Sequence, residues 1–147
     1  MVNINVTRLN EIENNFNTCF EDINLSISYL KDIKLASNIN MKRLINNSIR
    51  NCISSIFINT EEYLASILNK SDVLVSNEEF KECLLSVKQE KLIASEFADC
   101  ILENIAIRDM LFCGYNQPST ETLIEFYQDN REILLSQIEF IKNLVKR

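Results

Sequence analysis

One glycine and one proline in 147 residues constrain this chain more than any other feature. Sheet proteins reverse direction through tight turns, and those turns use glycine for positive φ and proline for a preset φ. A chain with so few of either is expected to fold into long helices. Apolar residues make up 46% and charged residues 24%, the balance of a globular protein rather than a disordered one. The length suits one domain, residues 1–147, with a core of its own. The expectation is an all-α fold, an up-and-down bundle of about five helices.

The apolar periodicity places those helices. Thr7 is positioned to cap a first helix, in which Leu9, Ile12, Phe16, Phe20, Ile23, Ile27 and Leu30 recur at steps of three and four. The more polar stretch from Lys31 to Asn40 is expected to hold the turn. A second helix, from about Asn40 to Asn69, puts Ile45, Ile49, Cys52, Ile56, Tyr63 and Ile67 on one face. Ile53 and Phe57 widen that face, which marks this helix as the central one. Ser76-Asn-Glu-Glu79 has the form of a capping box and opens a shorter helix through Phe80, Leu84 and Val87. Ser95 is the expected cap of a fourth helix running to about Phe112. After the break Asn116-Gln-Pro-Ser119, Ser119 or Thr120 caps a last helix, which ends in Lys142, Lys146 and Arg147 as the helix dipole favours.

Several function classes drop out. The chain has no histidine, which removes the commonest general base and the commonest zinc ligand together. One glycine cannot build a phosphate-cradling loop, and no carboxylate spacing singles out a metal or cofactor site. The five cysteines, Cys19, Cys52, Cys83, Cys100 and Cys113, form no Cys-x-x-Cys pair and read as reduced thiols of a cytoplasmic protein. No signal segment or membrane-length apolar run is present, so no membrane partner is expected. A net charge of −6 speaks against a general nucleic-acid-binding surface. The charge is uneven, though: Lys31, Lys34, Lys42, Arg43 and Arg50 are opposed in their stretch by Asp32 alone.

The stretch from Ile101 to Tyr115 carries the chemistry. Arg108 interrupts an apolar run, seven residues after Ile101 and three after Ile105, with Asn104 expected on the same face one turn earlier. A guanidinium on a buried face must keep hydrogen bonds. It is either paired with a carboxylate across a helix or subunit interface, or it forms a fixed fork for an anion. Cys113, five residues on, falls at the helix end, and Gly114 is the natural stop.

Arg108-Asp-Met-Leu-Phe-Cys-Gly-Tyr115 resembles the signature of the HEPN superfamily, and most closely its HepT-like branch. The long second helix, the capped segment at Glu78-Glu-Phe80 and the long last helix agree with that branch, over about residues 40–145. The resemblance implies a helical bundle that pairs into a homodimer, with the two motif helices near the dimer axis. It implies a place in a toxin–antitoxin system whose other product is a minimal nucleotidyltransferase. Active members of the branch are metal-independent ribonucleases. Their motif arginine holds phosphate and their histidine serves the 2′-hydroxyl, while a tyrosine two residues later can receive AMP from the partner. Carried over by position, Arg108 matches the arginine, Asp109 stands for the usual asparagine, Cys113 replaces the histidine and Tyr115 matches the tyrosine. With that histidine replaced, the chain reads as a degenerate ribonuclease acting as binding partner and substrate of the nucleotidyltransferase. The alternatives are a ribonuclease with a composite dimer-interface site acting on RNA, and a plain helical interaction module.

Overall fold

The computed structural model describes residues 4–70, 76–114 and 116–146, and all regular structure among them is helical. Helix α1 (Val6–Lys31) and a four-residue α2 (Ile33–Ala36) lead into α3 (Ile39–Ile67). Helices α4 (Asn77–Gln89), α5 (Ser95–Glu103), α6 (Ile105–Cys113) and α7 (Thr120–Val145) follow. The all-α expectation holds, but the described segments number seven rather than about five. Two local effects account for the difference.

Asp32 makes α2. Its Oδ1 accepts from the backbone N–H of Lys34 at 2.9 Å, so a short helical turn forms within the polar link. Asn104 breaks the expected fourth helix. Its side-chain Nδ2 donates back to the Cys100 carbonyl at 2.8 Å, competing for the oxygen that its own backbone N–H reaches at 3.1 Å. The ladder then tightens, with Ile107 N–H bonded to the Asn104 carbonyl at 3.0 Å. An asparagine that bonds its own helix's backbone bends it, and here φ −110° and ψ 21° set α6 off as a separate helix.

The caps differ in part from the sequence expectation. Asn5, not Thr7, caps α1, accepting from Arg8 N–H at 3.0 Å. Asn38 caps α3 through the N–H groups of Asn40 and Met41. Ser95 is the first residue of α5, and Ala94 at its N-cap makes no side-chain bond. Ser76 and Ser119 do cap their helices, each with the N–H three residues on at 3.1 Å.

The core forms one continuous cluster along α1, α3, α4, α5 and α7. Every apolar residue assigned to the buried face of α3 is buried, and Ile53 and Phe57 beside them are fully so. Phe97 of α5 meets Phe16 of α1 edge to face at 6.0 Å, and Phe57 of α3 stacks on Phe126 of α7 at 5.9 Å. The helices also share polar ties. Tyr127 Oη donates to Asn24 at 2.9 Å, and Tyr63 Oη to the Leu92 carbonyl at 2.5 Å. Buried Gln137 accepts from the N–H of Ala94 at 2.9 Å. The last two bonds hold the α4–α5 link on α3 and α7, which fixes where α5, and so α6, begins.

Candidate functional site

Arg108 is 3% exposed, on the inward side of α6 where that helix packs against α3. A guanidinium that deep needs a counter-charge, and Glu61 of α3, also 3% exposed, supplies it. Arg108 Nε donates to Glu61 Oε1 at 3.0 Å, and Nη2 donates to the same oxygen. Nη1 donates to Oδ1 of Asn77, the first residue of α4. The planar cation also lies 4.4 Å from the ring centre of Phe80 and 5.0 Å from that of Phe112. Both are within cation–π range. Of the two readings open for Arg108, the fold makes the carboxylate pair, within one chain.

Asn77 joins the site together. While its carbonyl oxygen receives Arg108, its Nδ2 donates to Asp109 Oδ1 at 2.9 Å. One amide at the start of α4 therefore grips two consecutive residues of the motif helix. Glu61 feels opposing effects. Burial pushes its carboxyl above the ordinary value, and neighbouring Glu62 adds to that, while the hydrogen bond and charge of Arg108 pull it down. Burial is the largest of these. Beside the pair, Glu61 and Glu62 line a crevice of about 450 Å³ together with Arg8 and Lys70. Arg8 is ion-paired with Glu62 there at 3.1 Å.

Among the described residues, Asn104 and Cys113 stand apart from the Glu61–Asn77 cluster. Asn104 turns its Nδ2 back on the Cys100 carbonyl and serves the bend. Asp109 is exposed and held by Asn77. Cys113 is exposed. Five residues along a helix turn a side chain by about 140° relative to the first, so buried Arg108 and Cys113 point to different sides. The other four cysteines are buried, and burial pushes the Cys100 thiol up to about 11. Gly114 ends α6 in the left-handed region at φ 77°, the C-cap expected of it. A Cβ there would meet nothing within 4 Å, so the backbone angle alone selects glycine. Tyr115 lies outside the described residues.

Among the described residues no group of three or more potential ligands is placed to hold a metal ion, and no helix is long and apolar enough to cross a membrane. Glu61 and Asn77 are the functional-site residues that sequence reasoning did not name. The chain matches no protein-family model, no curated protein and no solved structure.

Proposed function

We propose that this chain is a HepT-like HEPN subunit whose motif helix serves association rather than RNA cleavage. In this reading it is a homodimer that binds a minimal nucleotidyltransferase and is its substrate. One observation carries the reading: Arg108, the residue that would hold a phosphate in an active relative, is turned into the protein and tied to Glu61 and Asn77. A guanidinium so engaged is a structural clamp. With cysteine at the histidine position and aspartate beside the arginine, nothing along the motif supplies a base of ordinary strength for a 2′-hydroxyl.

The outer side of α6 supports the association. Towards its own core this helix fully buries Ile107 and Arg108 and packs Ile105, Met110 and Leu111 only in part. Phe112 is left 42% exposed, with Met110 and Leu111 partly so. A second copy of the same face would cover them isologously. Sedimentation is expected to give a dimer at micromolar concentration, with a buried patch above about 1,000 Å². Phe112→Glu is expected to give a monomer of unchanged helicity, since the position is exposed and a carboxylate beside Arg108 takes the place of the ring that faces that cation. A wild-type chain that sediments as a monomer would overturn the dimer.

The modification is tested separately. With a minimal nucleotidyltransferase partner and ATP, the intact mass is expected to rise by one AMP, and Tyr115→Phe to abolish the gain. A gain that survives Tyr115→Phe excludes this tyrosine. Metal-independent RNA cleavage lost in Arg108→Ala would instead return the ribonuclease reading.

A further inference from the structure

Three of the five basic residues noted in the sequence converge on one place. Lys42, Arg43 and Arg50 line a crevice of about 480 Å³ between the first half of α3 and the start of α7, with Asn46, Asn47 and Thr120 around them. Arg43 and Arg50 are seven residues apart on a helix, which stacks them nearly one above the other at about 10 Å. Asn46 and Asn47 fall on the turn between them, so the strip reads cation, amide, cation. Among the described residues, none of the three cations is ion-paired with a carboxylate.

Arg50 shows an unmet demand. Its Nη2 donates to the Pro118 carbonyl at a long 3.4 Å, while its Nε is buried and has no hydrogen-bond partner among the described residues. A buried N–H without an acceptor is costly, and an arginine holds its charge at any ordinary pH. The positive end of the 26-residue α7 opens beside it at Thr120 and adds to the same sign of potential. Glu121, the acidic residue of that first turn, is exposed and does not line the crevice. All this stands in a chain of net charge −6, so the cluster runs against the overall charge rather than following it.

We infer that this crevice binds the di- or triphosphate group of a small molecule, of which a nucleotide is the natural class. Two arginines whose backbone positions lie about 10 Å apart along α3 have side chains long enough to converge on successive phosphoryl groups. The asparagine amides offer both donors and acceptors to the rest of the ligand. The volume lies within the range of small-ligand sites, about 300–1,000 Å³, and the net charge of −6 speaks against an extended polyanion. The inference stands apart from the HepT-like reading, since none of these residues belongs to the 108–115 motif.

The test is calorimetric titration of the full chain with sodium tripolyphosphate, with ATP and with a short single-stranded oligonucleotide, at matched ionic strength. Tripolyphosphate and ATP are expected to compete for one site. Lys42→Gln with Arg43→Gln, both at exposed positions, is expected to weaken binding at least about tenfold while leaving the helical spectrum unchanged. Arg50→Gln is expected to weaken it similarly. No binding of tripolyphosphate at millimolar concentration would overturn the inference, as would binding unchanged in the Lys42/Arg43 variant. Oligonucleotide binding that depends on these residues but is not displaced by tripolyphosphate would overturn it in favour of nucleic acid.

Discussion

Glu61→Ala is expected to cost about 3–5 kcal/mol of folding stability, and Arg108→Met less, although both remove one half of the same pair. The asymmetry comes from what each change strands. Without Glu61, Arg108 stays a buried cation that cannot discharge and has lost the carboxylate its Nε and Nη2 share. Without Arg108, Glu61 escapes by taking up a proton. Burial already holds its carboxyl above the ordinary value, and removing Arg108 removes the influences that oppose this. The sign of the pH dependence follows. A carboxyl whose folded value is raised gives stability that is complete below its unfolded value and is lost as pH rises through the folded one. Arg108→Met should therefore lose more stability at about pH 8 than at about pH 5, whereas the stranded Arg108 of Glu61→Ala stays charged at both. The double variant Glu61→Leu/Arg108→Met should recover most of either loss, because a well-packed apolar pair of similar volume avoids desolvating two charges. Denaturant unfolding at fixed protein concentration measures all four chains. Equal costs for the two single variants, without the pH contrast, would show that burial does not govern Glu61.

That pair also marks how far the sequence could be read. The apolar rows of α1, α3 and α7 were legible because their periodicity is set by burial itself, and the residues assigned to the inner face of α3 are buried. Arg108 stood out because it interrupts such a row. Its partner left the same mark: Glu61 falls in line with Ile49, Ile53, Phe57 and Leu64 on α3, a lone carboxylate in an apolar row. Two unlike charges that each interrupt a buried row are candidates to meet, and that signal could have paired them. Asn77 gave no such signal. It looks like any polar residue of a first helical turn, and its role depends on how α4 comes to rest beside α6. The bend at Asn104 was equally silent, because an asparagine in a helix can face solvent or bond its own backbone. The basic strip of α3 was visible as charge, while its meeting with the start of α7 depends on packing between residues about 70 apart in the chain.

Phe97→Ala is expected to lower global stability by about 3–5 kcal/mol, a large share of the roughly 5–15 kcal/mol that holds a domain folded. Phe97 is fully buried on α5, edge-on to Phe16, where α5 packs against α7. Truncation leaves a cavity among long helices that cannot close up without moving α1, and it also loses the ring pair, worth about 0.5–1.5 kcal/mol. The effect should divide at Asn104. Amides of α5 are tied to the core through Phe97, Ala98, Cys100 and Ile101, so their exchange requires opening of the whole bundle. The next helix, α6, fully buries Ile107 and Arg108 alone, with Ile105, Met110 and Leu111 packed in part, and is otherwise held by side-chain bonds, so it opens locally at lower cost. Phe97→Ala should then speed hydrogen exchange in α5 by about 10²–10⁴-fold and leave α6 nearly unchanged. Phe97→Leu, which refills most of the volume, should restore much of the protection in α5. Equal acceleration of both helices would mean that the bend at Asn104 does not uncouple them and that the Arg108 clamp opens only with the entire fold. The predicted split would make α6 a separately mobile helix, free to adjust its exposed Phe112 face to a partner while the bundle behind it stays closed.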